Sequence, residues 1–461
     1  MDLDDFFRGI EEGKKAYCGP RVLQLDITNN CNTNCVGCWC HSDYLGKKQL
    51  KGKEKKIVLC LDTIKKIIDD AWAMNVGSIH LAGSGEPLMH PDICSIVEYI
   101  KKKDMSLEIV TNGLLLNKKM CQCLVDNKVD KVAVSVWAGS LDTYHRIHPN
   151  QPREAFDKLK ENLSQLCALK RKKYGVPSVR IYHVISNYNF YEIEKMIEFG
   201  IEVEANMVEF QAIDIIPGKT DFLAMDEKQI SAIEQQFKKM KKRKDCLVVN
   251  RFDTEEFNEF GRFIIKNNQD DGFVYYFDNT FFYETRCPIG RTTYSIRENL
   301  ELGHIEFIFS KNICQQCVRL HECTIHKEYF LKVVYFLSVV GVNTFLRRIK
   351  AVKERQKTEY DSNVDKLPCY AGWDFARILT NGNVIPCCKG YLRPLGNIYK
   401  DSFKTIWMSR RYDEFRKKGK SLKKSDPYFK EFECLKGCDN YGRNVEISRK
   451  LCTMKLQGVL L

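Results

Sequence analysis

Between residues 20 and 211, short β-branched runs alternate with amphipathic stretches of helical length. The runs Val22–Thr28, Ser78–Ala82, Ser106–Thr111, Lys131–Trp137, Ser178–Ile185 and Val203–Gln211 predict strands. Between them, Leu61–Met74, Pro91–Lys103, Asn117–Asn127, Glu154–Lys172 and Asn189–Phe199 have the apolar spacing of helices. Asp62 and Asn117 suit the caps, and Pro91 suits a first turn. Six βα repeats in succession predict a parallel α/β sheet, which right-handed crossovers curl into a partial (β/α)6 TIM-like barrel. A doubly wound open sheet is the alternative topology. Either one gathers functional residues at the C-terminal ends of the strands, where the βα loops lie.

The rhythm changes after residue 215. Met225–Lys244 reads as one basic amphipathic helix, and no further βα units follow. Two cysteine-bearing segments come next, Arg286–His326 and Pro368–Asn444, separated by Lys327–Lys366. That linker contains the mostly apolar run Tyr329–Leu346, which is interrupted by Lys332 and followed by Arg347, Arg348 and Lys350. It is short and charged for a membrane span and reads as a core-packed helix. A helix in weak contact with a membrane surface is the alternative. The expected organisation is an N-terminal extension (1–19), the barrel (20–245), a first cysteine-rich segment (246–326), a helical linker (327–367) and an α+β cysteine-rich extension (368–461).

Composition narrows the function. At roughly 100–200 residues per domain, 461 residues suggest two to four domains. The 27 glycines and 12 prolines are too few for a collagen-like or low-complexity chain. Cysteine stands out at 21, an odd number, and the acidic start Met1-Asp-Leu-Asp-Asp lacks the pattern of an export signal. A cytoplasmic, reduced protein whose cysteines hold metal is the expectation. The net charge of +13 would point toward nucleic acid, a membrane surface or acidic substrates. However, its lysines are scattered in short runs such as Lys47–Lys56, Lys238–Lys244 and Arg416–Lys424, and thiolate ligands would lower the real charge. No nucleic-acid partner is expected. A zinc-stabilised nucleic-acid-binding protein is the weaker reading, marked by ordered four-cysteine zinc sites and steeply salt-dependent binding.

The loop after the first strand reads Cys31-Asn-Thr-Asn-Cys35-Val-Gly-Cys38. Three thiolates so spaced can wrap one compact iron–sulfur cluster and leave one iron of four without a protein donor. A zinc site completed by Cys40 or His41 is the alternative. This Cys-x3-Cys-x2-Cys loop, placed after the first strand of a βα series, resembles the signature of the radical S-adenosylmethionine (SAM) enzymes. Further matches follow at later strand ends. Gly83-Ser-Gly85-Glu86-Pro87 resembles the family's Gly-Gly-Glu-Pro element, which implies that Gly83, Gly85 and Glu86 grip the methionyl amino group. Thr111-Asn112-Gly113 is similar to the family's next turn. Ser135 falls where relatives set a hydroxyl against the cofactor, and Arg146 is implied as a carboxylate partner. The chain departs from the family in two places: Ser84 replaces a glycine, and Gly37 stands where relatives carry an aromatic, a role Trp39 is expected to take.

The second half repeats the metal theme. Cys369 and Cys387 flank a hairpin whose turn is Asn381-Gly382, and Cys434-Leu-Lys-Gly-Cys438 follows. This region resembles the SPASM or twitch extension of radical enzymes. The resemblance implies an auxiliary [4Fe-4S] cluster on Cys369, Cys387, Cys434 and Cys438, with Cys388 or Cys452 as substitutes. Upstream, Cys287, Cys314, Cys317 and Cys323 resemble a divergent first copy, with zinc and His321 or His326 as the alternative. Cys60, Cys94, Cys121, Cys123, Cys167 and Cys246 are expected as small buried hydrophobes.

The resemblance implies an oxidoreductase that cleaves SAM reductively and abstracts hydrogen from an unactivated C–H bond. An external reductant such as flavodoxin or ferredoxin would supply electrons, and auxiliary clusters would relay them. A small-molecule or carbohydrate substrate, dehydrogenated or epimerised, is the first reading, because only 30 residues precede Cys31. Peptide or protein modification, including crosslinking, is the second. No general base is identified; Glu209, Asp214 and His183 simply lie near predicted strand ends.

Overall fold

The computed structural model describes residues 3–240, the strands within 263–297, residue 365, and residues 367–456 except 433, 435–437 and 439. The six predicted strands form as β1 (Val22–Leu25), β2 (Ser78–Leu81), β3 (Ser106–Thr111), β4 (Lys131–Ser135), β5 (Ser178–Ile185) and β6 (Met207–Ala212). The N-terminal extension is a helix, α1 (Leu3–Glu12). Among the strands run α2 (Leu61–Ala73), α3 (Ile93–Lys102), α4 (Lys118–Asp126), α5 (Leu141–Ile147), α6 (Ala155–Lys173) and α7 (Ile193–Glu202), with α8 (Glu227–Met240) after β6. Strands β7 (Phe263–Lys266), β8 (Phe273–Phe277), β9 (Thr280–Cys287) and β10 (Gly290–Arg297) follow, then β11 (Phe375–Ile378), β12 (Asn383–Ile385) and β13 (Gly396–Asn397). As expected, Asn117 caps α4 by accepting from Met120 N. The last strand of the series begins later than its β-branched pattern predicts. Helix α7 runs on to Glu202, and Glu204 turns the chain at φ 55°.

The chain divides into two compact units, Met1–Asn32 with Trp39–Thr111 and Glu354–Leu461, and Thr33–Cys38 with Asn112–Lys353. In the first, the strand order is β13-β12-β11-β1-β2-β3. Side chains alternate between the faces of a strand, so register decides what each face carries. Leu23, Ile79 and Leu107 share one row and Leu25, Leu81 and Ile109 another. All six are fully buried, each contributing about 1.5–3 kcal/mol. The intervening row, Arg377, Gln24, His80 and Glu108, puts polar groups on the opposite face. There His80 Nε2 lies 3.7 Å from a Glu108 oxygen. A sheet with one apolar face and one polar face suits a barrel wall enclosing a site.

The C-terminal segment does not stand apart within this unit. Strand β11 pairs in parallel along the whole of β1, from Val22↔Phe375 to Leu25↔Ile378, and β12 and β13 continue the sheet antiparallel. Helix α1 buries Phe6, Phe7 and Ile10 against Tyr370, Trp373, Ile447 and Leu451. In the second unit β4, β5 and β6 are parallel neighbours, and β7–β10 form an antiparallel sheet. Among the described residues no helix is long and apolar enough to cross a membrane. The apolar run Tyr329–Leu346 lies outside the described residues.

Candidate active site and auxiliary cluster cavity

In the first unit, the loop after β2 is shaped by Asp26 at the end of β1. Asp26 accepts from Ser84 N at 3.1 Å and Ser84 Oγ at 2.9 Å. From β11, Arg377 donates to both Asp26 oxygens, at 2.9 and 2.7 Å. Burial alone would lower the Arg377 guanidinium, but Asp26 outweighs it and holds the pKa above its ordinary value. Gly83 sits at φ 137°, and a Cβ on Gly85 would fall 2.4 Å from Asn30 O and 2.5 Å from Thr28 O. Only glycine passes there. Glu86 is buried, its Oε1 accepting from Thr111 Oγ1 at 2.6 Å and Leu88 N at 3.0 Å. A buried, oriented carboxylate beside a side-chain-free backbone fits the ammonium group of an amino-acid ligand. In the same unit, His41 Nε2 bonds Ser84 O at 2.7 Å, and Cys31 is half-buried and outside any disulfide.

In the second unit, the cysteine loop Thr33–Cys38 is tethered through its backbone. Val36 N donates to Ile147 O at 2.9 Å, Asn34 and Asn150 exchange bonds, and Cys38 N closes a turn onto Cys35 O at 2.9 Å. Cys35 and Cys38 are half-buried and outside any disulfide. Asn112 is buried and accepts from Leu114 N at 3.1 Å. Ser135 ends β4 opposite Tyr182. The Arg146 guanidinium lies over the Tyr188 ring, 3.7 Å from its centroid.

The aromatic beside Gly37 is Trp137. A Cβ on Gly37 would meet Ile213 at 2.7 Å and the Trp137 ring at 3.3 Å. Trp39, expected in that role, is instead 43% exposed, with Lys389 Nζ 5.9 Å from its ring. Trp137 adopts φ 60°, costly for a bulky residue. Asn189 stabilises it there by donating to Trp137 O at 2.6 Å. Its indole N–H is buried without a hydrogen-bond partner, an unmet donor that makes Trp137 a candidate site residue absent from the sequence-based set. The available signal was an aromatic two residues past Ser135.

The first unit also holds a cavity lined by Cys369, Cys387, Cys434 and Cys438 together with Lys389, Lys424 and Asn440. Its apolar wall is Phe415, Phe429 and Phe432. The hairpin forms as its turn residues require, Gly382 N bonding Leu379 O at 2.9 Å, and this brings Cys369 and Cys387 to one cavity. Burial pushes the Cys369 and Cys434 thiols up, with Lys424 opposing it at both. Ligation to iron offsets such a penalty, so the donor set suits a cluster. No three His, Cys, Asp or Glu side chains among the described residues are grouped to hold a single metal ion.

Other expected residues take no part in these groupings. Cys287 ends β9 opposite Gly290, whereas Cys314, Cys317 and Cys323 lie outside the described residues. His183 is fully buried, stacked on Phe210 and pushed down to about 3 by burial, which leaves it a weak base. Glu209 is buried against Arg180 at 2.9 Å. Cys121 and Cys167 are buried as expected. Cys60 is exposed, and Cys94 and Cys123 are half-buried rather than fully buried.

Comparison with known proteins agrees with this geometry. Residues 25–200 match the radical SAM superfamily, and residues 369–438 match an iron–sulfur cluster-binding domain, SPASM. A probable GTP 3',8-cyclase from Methanococcus maripaludis is 35% identical over 117 residues, 25% of this chain and 36% of that protein. An S-adenosylmethionine-dependent nucleotide dehydratase from Selenomonas ruminantium is 31% identical over 172 residues, 36% of this chain and 57% of that protein. The chain thus spans between a third and somewhat over half of these relatives. The crystal structure of Streptococcus suis SuiB bound to precursor peptide SuiA shares the fold, with a TM-score of 0.52 at 13% identity, covering 95% of this chain and 74% of that one.

Proposed function

We propose that this chain, a radical SAM enzyme with a C-terminal SPASM domain, oxidises a small-molecule or carbohydrate-type substrate by hydrogen abstraction. In this reading residues 20–245 generate the radical, and residues 368–461 hold an auxiliary cluster. Cys31, Cys35 and Cys38 hold the [4Fe-4S] cluster that binds SAM. Gly83, Gly85, Glu86, Asn112, Ser135 and Arg146 bind SAM, and Cys369, Cys387, Cys434 and Cys438 hold the auxiliary cluster. When bound, these groups supply a 5′-deoxyadenosyl radical and a one-electron acceptor.

The chain's own residues bind and orient. Glu86, fixed by Thr111, faces the methionyl ammonium. The indole N–H of Trp137 donates to the ligand, which gives a partner to a donor otherwise left without one. A flavodoxin- or ferredoxin-type protein supplies the electron. One observation carries the reading: four cysteines from three parts of the C-terminal segment line one cavity. The small-molecule choice is supported by the relatives, whose names specify GTP and a nucleotide.

The test is anaerobic purification with iron and sulfide analysis, followed by dithionite reduction with SAM. Roughly eight irons per chain, or twelve if Cys287, Cys314, Cys317 and Cys323 hold a third cluster, are expected together with 5′-deoxyadenosine. Replacing Cys31, Cys35 and Cys38 by alanine should remove about four irons and abolish 5′-deoxyadenosine formation. Zinc in place of iron, with no cleavage of SAM, would overturn the proposal.

A further inference from the structure

We infer that Lys424 and Asn444 set the reduction potential of the auxiliary cluster, holding it less negative than four thiolates alone would allow. The inference rests on the reading that Cys369, Cys387, Cys434 and Cys438 hold that cluster.

Lys424 is only 2% exposed, yet it lines the cysteine cavity. Its ammonium donates to Leu367 O at 2.8 Å and lies 5.5 Å from the centre of the Phe429 ring. Among the described residues, no carboxylate pairs with it. Burying an ammonium without a counter-charge is expensive. A cluster ligated by four thiolates is anionic in both oxidation states and supplies that charge. Reduction adds one more negative charge, so a fixed cation nearby stabilises the reduced form preferentially. Lys424 and all four cysteines line the same cavity.

Asn444 acts through a second lever, hydrogen bonding to ligand sulfur. It is buried, and its Oδ1 accepts from Tyr370 N at 2.9 Å. A backbone N–H cannot accept, so this bond settles which end of the amide is which. The Nδ2 end is left to donate toward Cys438 Sγ at 3.9 Å. An N–H···S bond draws charge from the thiolate and also favours the reduced cluster.

The couple is a one-electron one: the oxidised cluster takes an electron from dithionite, and no bond forms or breaks. The experiment is a redox titration followed by electron paramagnetic resonance, on full-length protein carrying Cys31→Ala, Cys35→Ala and Cys38→Ala. The signal from this cavity is identified by its loss on adding Cys434→Ala. Lys424→Gln should shift its midpoint to more negative potential at unchanged iron and sulfide content, and Lys424→Arg should restore it. Asn444→Asp keeps the acceptor for Tyr370 N but removes the donor to Cys438, and should shift the midpoint in the same direction. An unchanged midpoint in an iron-replete Lys424→Gln or Asn444→Asp protein removes that residue from the assignment, and unchanged midpoints in both overturn it. If Cys434→Ala instead leaves iron content and spectrum as they were, the cluster reading itself fails.

Discussion

Ser84 shows what a single residue can conceal. Along the chain it is only a departure from a glycine pair. In the fold its hydroxyl and amide both bond Asp26, so it anchors the loop that carries Gly85 and Glu86. Asp26 is far away in sequence, and nothing near Ser84 announces it. Gly85 is the opposite case, since its motif implied glycine and the close backbone oxygens supply the reason. Gly85→Ala must displace the Asn29–Asn30 backbone, at a cost of about 1–3 kcal/mol. Calorimetric titration should show weakened SAM binding together with a lower melting temperature, and wild-type affinity would contradict the assignment. The exchange of Trp39 for Trp137 has the same origin as Ser84. Trp39 lies two residues from Gly37 and Trp137 a hundred, and the ring that packs against Gly37 is that of Trp137.

Among elements, the parallel pairing of β11 with β1 has the widest consequence. It carries Arg377 to Asp26 and Thr380 to Asn29, whose side chains bond at 2.8 Å. The C-terminal segment thereby braces the first unit's loops after β1 and β2. The Asp26 side chain is fully buried, so removing its partner leaves an uncompensated charge. Arg377→Met should destabilise by about 3–5 kcal/mol in chemical denaturation, whereas Asp26→Asn with Arg377→Met should recover a good part of that. A double variant as unstable as the single one would show that the pair is not the source of the loss. The βα series was readable from period alone, because each strand and helix is encoded by its own alternation of apolar residues. The contact of β11 with β1 was not, since a four-residue strand can pair with many edges.

Across the first unit, a buried network joins the start of β1 to the C-terminal segment. Asp374 is bound by Arg21 and by Arg443, the latter at 3.1 Å, and Arg21 also bonds Glu446 at 3.0 Å. Burial opposes ionisation of Asp374, but Arg443 and Arg21 overcome it and hold the carboxyl below its ordinary value. A depressed carboxyl stabilises the fold above its unfolded pKa, about 3.9, and loses that contribution as pH falls through the folded value. Urea midpoints should therefore fall on acidification below about pH 4, and less steeply in Asp374→Asn. Identical acid limbs would place the sensitivity elsewhere.

The cysteine spacings, the turn at Asn381-Gly382 and the succession of strands and helices were open to reading from the chain, because each depends on neighbours a few residues apart. An iron–sulfur radical enzyme was what the resemblance carried by these motifs implied. The convergence of Cys369, Cys387, Cys434 and Cys438 on one cavity, the ammonium of Lys424 beside them, and the grip of Arg377 on Asp26 came only with folding. Each joins positions separated by long stretches of chain, and burial and charge, rather than local pattern, select which of them meet.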